Sequence, residues 1–353
     1  MSRLAGVRVV SEYGDARDVL KDRGACPVNH NGRSAPFVGG TLITLHGDEH
    51  LRRRRLEAPL FTRDALARYE LDVLAPAIER AMSPIGERAD LVALSRAMLL
   101  QIAAAIIGLD DVHTDARIDR LGACMDKLID ATHVEWSGDD RDRIVREAQR
   151  ARDVFDREFV TSSLRRRESE PQHDLLSLIA DLDHDAIVRE AILYLVAATV
   201  TTATLVTHTV DEIGRLQQDV DPEFLRAAAE ESLRLHVPTA ALLRRVADET
   251  VACDLGAANR DDAVFGPDPD RFRVGRDLPS GVTEHGLAFG AGQHVCIGRF
   301  LALPAATGPA LGIVVRILEA LYAAGVEPDP DRAPRRLPGE LDAYATYPVR
   351  FVR

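Results

Sequence analysis

Phe289-Gly290-Ala291-Gly292-Gln293-His294-Val295-Cys296-Ile297-Gly298 is the stretch that decides how the rest of this 353-residue chain is read. It joins an aromatic ring, two closely spaced glycines, one cysteine and a third glycine, and an apolar run begins after Arg299. A thiolate needs help to persist and to hold a metal, and the start of a helix gives that help through free backbone N–H groups and the positive end of the dipole. Glycines at 290 and 292 let the backbone fold close beneath a flat ligand. The arrangement suits a cysteine thiolate bound axially to heme iron. The plainer reading is a buried structural cysteine. A zinc site through His294 and Cys296 is weaker, because there is no second ligand pair of suitable spacing.

The order Phe289-Gly290-x-Gly292-x-His294-x-Cys296-x-Gly298, then Leu301-Ala302, resembles the heme-binding loop of the cytochrome P450 family. That resemblance implies heme b as cofactor, with Cys296 as the metal ligand and Phe289, Gly290 and Gly298 shaping its surroundings. It extends from about residue 7 to the C-terminus and implies one heme domain over residues 1–353.

Composition is ample for a large core. Hydrophobic residues make up 46% of the chain, and the formal net charge of −12 argues against wholesale nucleic-acid binding. Cys26, Cys124, Cys253 and Cys296 show no paired spacing, which favours reduced thiols over a disulfide framework. The N-terminal segment has no long apolar run, so a soluble, cytoplasmic protein without a membrane anchor is expected. Gly290-x-Gly292 lacks the third glycine of a dinucleotide loop, and NAD binding is not expected.

Along the chain, residues 7–11 read as a strand and 14–22 as a helix, with a Gly- and Pro-rich loop over 24–47. Helical periodicity then continues almost to 236, with breaks near Asp110-Asp111, at Ser137-Gly138-Asp139 and at 168–172. One long helix is predicted over 185–217. Strands and loops run on to Gly298, then a last helix over 299–325 made irregular by Pro304 and Pro309. The tail from Tyr347 reads as an edge strand. The fold class is mainly α with a small segregated β portion. Against the family the sheet is reduced: a strand pair usual after Asp254 is missing, and so is the first helix.

The other site residues are implied by the resemblance. His50 and Arg54, four apart on one helix face, match a pair that binds heme propionates. Arg245 and His294 match two further propionate positions. The neighbouring arginines of the run His50 to Arg55 are candidates for docking an acidic ferredoxin, although a solvated basic face is the plainer reading. Glu231 and Arg234, with Arg271 of the segment Asp268 to Phe272, match a structural network beneath the heme loop. In Ala197-Ala198-Thr199-Val200-Thr201-Thr202, Thr201 matches the alcohol that helps deliver protons to dioxygen. Ala198 stands where the family has glycine, and Val200 where it has an acid.

Three readings result. The first is a monooxygenase acting on a small or medium organic substrate in specialised metabolite biosynthesis, fed by ferredoxin and its reductase. The second is a heme-thiolate enzyme that uses peroxide or an N–O or otherwise activated substrate, since valine cannot relay protons. The third is a non-oxidising helper for a partner enzyme. The retained cysteine and cationic residues favour an enzyme.

Overall fold

The computed structural model describes residues 7–28, 30, 32–137, 140–216, 220–305, 308, 310–337 and 342–352. Contacts group the chain into two units: Met1–Cys26, Tyr69–Arg96 and Thr201–Arg353 form one, Pro27–Arg68 and Ala97–Val200 the other.

The strands are β1 (Arg8–Val10), β2 (Cys26–Pro27), β3 (Arg88–Asp90), β4 (Ala241–Val246), β5 (Glu249–Asp254), β6 (Val326–Pro328), β7 (Arg335–Arg336), β8 (Tyr344–Thr346) and β9 (Pro348–Phe351). They lie in the first unit, except that β2 runs across its boundary at Cys26. β4 and β5 form an antiparallel hairpin, with Leu242 opposite Cys253 and Arg245 opposite Thr250. β1 adds parallel to β5, giving a sheet of order β1-β5-β4-β2. The inward residues Val251 and Cys253 close over Tyr13, Ala16 and Leu20 of the helix Tyr13–Lys21, together with Phe265 and Leu287. Ala288 and Ala291 of the cysteine loop pack against this same core. β5 passes directly into the one-turn helix Leu255–Ala258, capped by the Asp254 carboxylate on the Ala257 N–H. The strand pair missing from the sequence is accordingly missing here.

Two expectations need correction. β9 is not an edge strand: it lies between β3 and β6 and pairs antiparallel with both. Pro348 is tolerated because it is the first residue of the strand. The last helix is not continuous either. A single turn, Arg299–Ala302, ends at Leu303, which is extended (φ −138°, ψ 82°) as the residue before a proline tends to be, and helix resumes only at Ile313–Ala323. Pro309 and the break at Gly138-Asp139 lie outside the described residues.

The second unit is helical around Gly47–Glu57, Asp115–Thr132, Arg141–Phe155 and Thr161–Ser169. Within the loop read over 24–47 lie β2 and the four-residue helix Ala35–Val38. The predicted long helix is His184–Gly214, 31 residues, or ~46 Å at 1.5 Å per residue. It is long and apolar enough to cross a membrane, but 67% of its apolar window is buried, the pattern of a core helix.

The far end of that helix carries a charged cluster in the first unit. His208 and His236 stack face to face, 3.9 Å between centroids and 7° from parallel. His236 lies between two carboxylates, Nδ1 2.6 Å from Asp342 and Nε2 2.8 Å from Glu212, and these hold its pKa above the ordinary value in spite of burial. His208 is fully buried and lies 2.8 Å through Nε2 from the Asp342 carbonyl. Burial, then the neighbouring His236, lowers its pKa to about 4.

Candidate functional site

Cys296 sits between the short turn Gly292–His294 and the turn Arg299–Ala302. Its side chain is exposed, while Cys124 and Cys253 are buried with thiols pushed upward by desolvation. The Cys296 N–H donates to the Phe289 carbonyl at 2.8 Å, closing the loop. Gly290 and Gly292 have φ of +71° and +69°. Space requires glycine at 292 as well as conformation: a methyl group there would lie 2.5 Å from Leu20 O and 2.9 Å from Lys21 Cα. At Gly298 it would lie 3.8 Å from the Cys296 sulfur. The Phe289 ring meets His285 edge-on, 4.9 Å between centroids. The helix after Cys296 is a single turn, so the loop's geometry rests on its glycines and its packing more than on a helix dipole.

On β4 the alternation of a strand separates two arginines. Arg244 points inward and is buried; Arg245 is on the opposite, exposed face. Leu242 of the same strand lies close to Gly290, 3.8 Å from where a β-carbon there would be. The structure therefore gathers Phe289, Gly290, His294, Cys296 and Gly298 on one loop, with the strand carrying Arg245 beside it.

Beneath the loop is a buried ionic network. Arg234, fully buried, makes two bonds to Glu231, of 2.7 and 2.8 Å, and donates at 2.6 Å to the Asn259 carbonyl. The third member is Arg276, in place of the expected Arg271. Arg276 donates through Nε to Glu231 at 2.9 Å and through Nη1 to the Phe265 carbonyl at 2.9 Å. Its Nη2 donates to the carbonyls of Asp268 and Arg271. Arg271 contributes a backbone oxygen, and its side chain is exposed. Asn259, fully buried, completes the junction. Its Nδ2 donates to Arg234 O (3.2 Å) and His285 O (3.4 Å), and its Oδ1 accepts from Leu287 N (2.7 Å). The loop is thus tied to the helix Pro222–Leu235 through one amide.

In the second unit, His50 and Arg54 share the helix Gly47–Glu57, as their spacing implies. His50 is buried, and burial, then the charge of Arg54, lowers its pKa to about 4, so it is a neutral imidazole. Arg52 and Arg55 are exposed. Arg53 departs from the solvated basic face: its side chain is only 11% exposed and ion-paired with Glu190 of the long helix. It is not available for a docking partner.

The long helix is buried on most sides, but Ala197 is exposed and Ala198, Val200, Thr201 and Thr204 are partly so. Thr199, on the buried side, bonds back to Leu195 O at 2.6 Å. The open stripe over 197–204 contains only Ala, Thr and Val. These features suit a heme: an exposed thiol on a glycine-turned loop, an exposed cation on the adjoining strand, and a stripe of small side chains.

A helical fold with this cysteine loop defines a heme-thiolate protein. The cytochrome P450 family model matches residues 215–307, which contain the Glu231–Arg234–Arg276 network and the Cys296 loop. The chain is 30% identical over 329 residues to mycinamicin IV hydroxylase/epoxidase of Micromonospora griseorubida, covering 83% of this chain and 78% of that protein. It is 27% identical over 333 residues to cytochrome P450 107B1 of Saccharopolyspora erythraea, covering 85% and 75%. Among solved structures, ligand-free cytochrome P450 TbtJ1 superposes with a TM-score of 0.77 at 24% identity, covering 99% of this chain and 92% of that one. The chain belongs to the cytochrome P450 family. It is a heme-dependent monooxygenase.

Proposed function

We propose that Cys296 would hold the heme iron of a monooxygenase that oxidises a small or medium organic molecule in specialised metabolite biosynthesis. The observation that carries this reading is the exposed Cys296 thiol on a loop turned by Gly290 and Gly292 and anchored on a buried ionic network. His50, Arg54, Arg245 and His294 would hold the propionates, Arg54 and Arg245 supplying charge and the two histidines hydrogen bonds. Phe289, Gly290 and Gly298 shape the surroundings of the sulfur. When bound, a thiolate-ligated heme supplies the oxidising power for dioxygen chemistry. Ala198, Val200 and Thr201 line the open face, and Thr201 carries the hydroxyl closest in role to a proton relay. Two bacterial relatives, mycinamicin IV hydroxylase/epoxidase and 6-deoxyerythronolide B hydroxylase, support a natural-product substrate by their names. Residues 1–353 act as one heme domain in the cytoplasm, with electrons from a ferredoxin and its reductase.

The test is the visible spectrum of the reduced, carbon monoxide-treated protein beside Cys296→Ser. A strongly red-shifted Soret band that the substitution abolishes is expected. Heme with the same band in Cys296→Ser would overturn the assignment. Val200 favours a second reading, turnover with peroxide or an activated N–O substrate. That reading requires peroxide-driven product to exceed reductant-driven product in the unmodified protein.

A further inference from the structure

A buried acid pair in the second unit has no part in the roles above. Glu57 and Glu190 are both fully buried and share the guanidinium of Arg53. Glu190 is well bonded, to Arg53 and to the Leu42 N–H at 3.0 Å. Glu57 is not. Its Oε1 accepts no hydrogen bond and lies 3.9 Å from Arg53, and its Oε2 accepts from the Tyr194 hydroxyl at 2.8 Å. Arg54 also acts on Glu57 and Arg189 on Glu190, but neither gives the buried Glu57 Oε1 a hydrogen bond. Burial first, and Glu190 second, raise the pKa of Glu57, and burial also raises that of Glu190. The Glu57 carboxyl holds a proton, and Oε2 is the oxygen that meets the Tyr194 hydroxyl.

Position on the long helix gives that proton a direction. At 3.6 residues per turn, Glu190, Tyr194, Ala197, Ala198 and Thr201 fall on one face. Tyr194 is thus the hydroxyl at the head of the stripe that opens over Ala197 to Thr204. In that stripe Val200 occupies the position matched to the family's acid.

We propose that Glu57, acting through the Tyr194 hydroxyl, supplies protons to the open stripe of the long helix in place of the carboxylate that Val200 cannot provide. Tyr194 passes its hydroxyl proton to water on the stripe and takes a proton from Glu57 Oε2, the oxygen it meets. Glu57 is left as a carboxylate beside Arg53 and is reprotonated from solvent. No electron moves and no other bond changes. The proposal rests on the heme-thiolate reading of the site.

Two measurements on the full-length protein test it. Infrared difference spectra across neutral pH should show the C=O stretch of a protonated carboxylic acid, shifted in D2O, lost in Glu57→Gln and displaced in Tyr194→Phe. This readout needs no turnover, so it stands even if the heme assignment fails. In the loaded enzyme, Tyr194→Phe should lower reductant-driven product relative to peroxide-driven product by about tenfold or more. A fully ionised Glu57 in the wild type, or an unchanged product ratio in Tyr194→Phe, overturns the proposal. Tyr194→Phe keeps the ring and its packing against Phe61 (centroids 5.9 Å apart), so the ratio remains readable if Glu57→Gln does not fold.

Discussion

Replacing Arg276 by alanine should be among the costliest single changes in the first unit, and replacing Arg271 among the cheapest. The Arg276 side chain is 3% exposed and bonds Glu231 and three backbone carbonyls. A hydrogen bond to a charged group contributes about 1.5–3 kcal/mol, and each buried carbonyl left without a donor costs about 1–3 kcal/mol. Simple addition overshoots, because Glu231 keeps Arg234 and water enters at the exposed Asp268–Arg271 edge. About 4 kcal/mol is the resulting expectation, within the range for breaking a buried ion pair. Arg271→Ala removes an exposed side chain and should cost under about 0.5 kcal/mol. Urea unfolding of both variants, read as midpoint shifts at matched slopes, gives the comparison. Hydrogen exchange of residues 259–276 should localise the loss for Arg276→Ala. Equal costs for the two variants, or an Arg276→Ala cost below about 1 kcal/mol, would refute the assignment of the third network arginine.

Gly292→Ala should destabilise the cysteine loop far more than Gly290→Ala. Both strain a positive φ, at about 1–2 kcal/mol, but only at 292 does the added methyl collide with backbone; similar unfolding midpoints for the two would count against the loop geometry. His208 should make the protein acid-sensitive. Its folded pKa of about 4 lies below the ordinary 6.5, so the unfolded chain binds more protons between those values, and stability falls by about 3 kcal/mol as pH drops across them. His208→Phe should flatten that part of the stability–pH curve, and an unchanged slope would contradict it. His236 acts in the opposite sense. Its raised pKa gives a contribution fully present below 6.5 and lost as pH rises through the higher folded value. Stability curves of His236→Gln and wild type should therefore converge on the alkaline side; a gap constant with pH would refute the linkage.

How much of the molecule is legible in the sequence depends on how local each feature is. The cysteine loop is written in contiguous residues, and the structure turns it at Gly290 and Gly292 with positive φ. The long helix is legible for the same reason, and the structure trims its predicted end by a few residues to Gly214. Arg276 escapes the sequence reading because Arg271, Arg273 and Arg276 look alike along the chain, and only the folded turn decides whose guanidinium meets Glu231, Arg273 reaching it by its backbone N–H. The centrality of β9 depends on β3, most of the chain away, and no local pattern encodes that pairing. The run His50 to Arg55 reads as a solvated basic face. That Arg53 and Glu57 turn inward is decided by Glu190 and Tyr194, more than a hundred residues later.

Asn259 gives the protein a particular way of ageing. Hydrolysis of its side-chain amide to a carboxylate would exchange a donor for an oxygen aimed at two carbonyl oxygens, those of Arg234 and His285. The new charge would appear where Gly286 leaves no slack, since even a methyl group there would fall 2.3 Å from Asn259 Oδ1. The lesion barely changes the mass and leaves Cys296 itself intact, yet it would uncouple the cysteine loop from the helix beneath it. Slow loss of cofactor from stored enzyme with an unaltered Cys296 would carry that chemical signature.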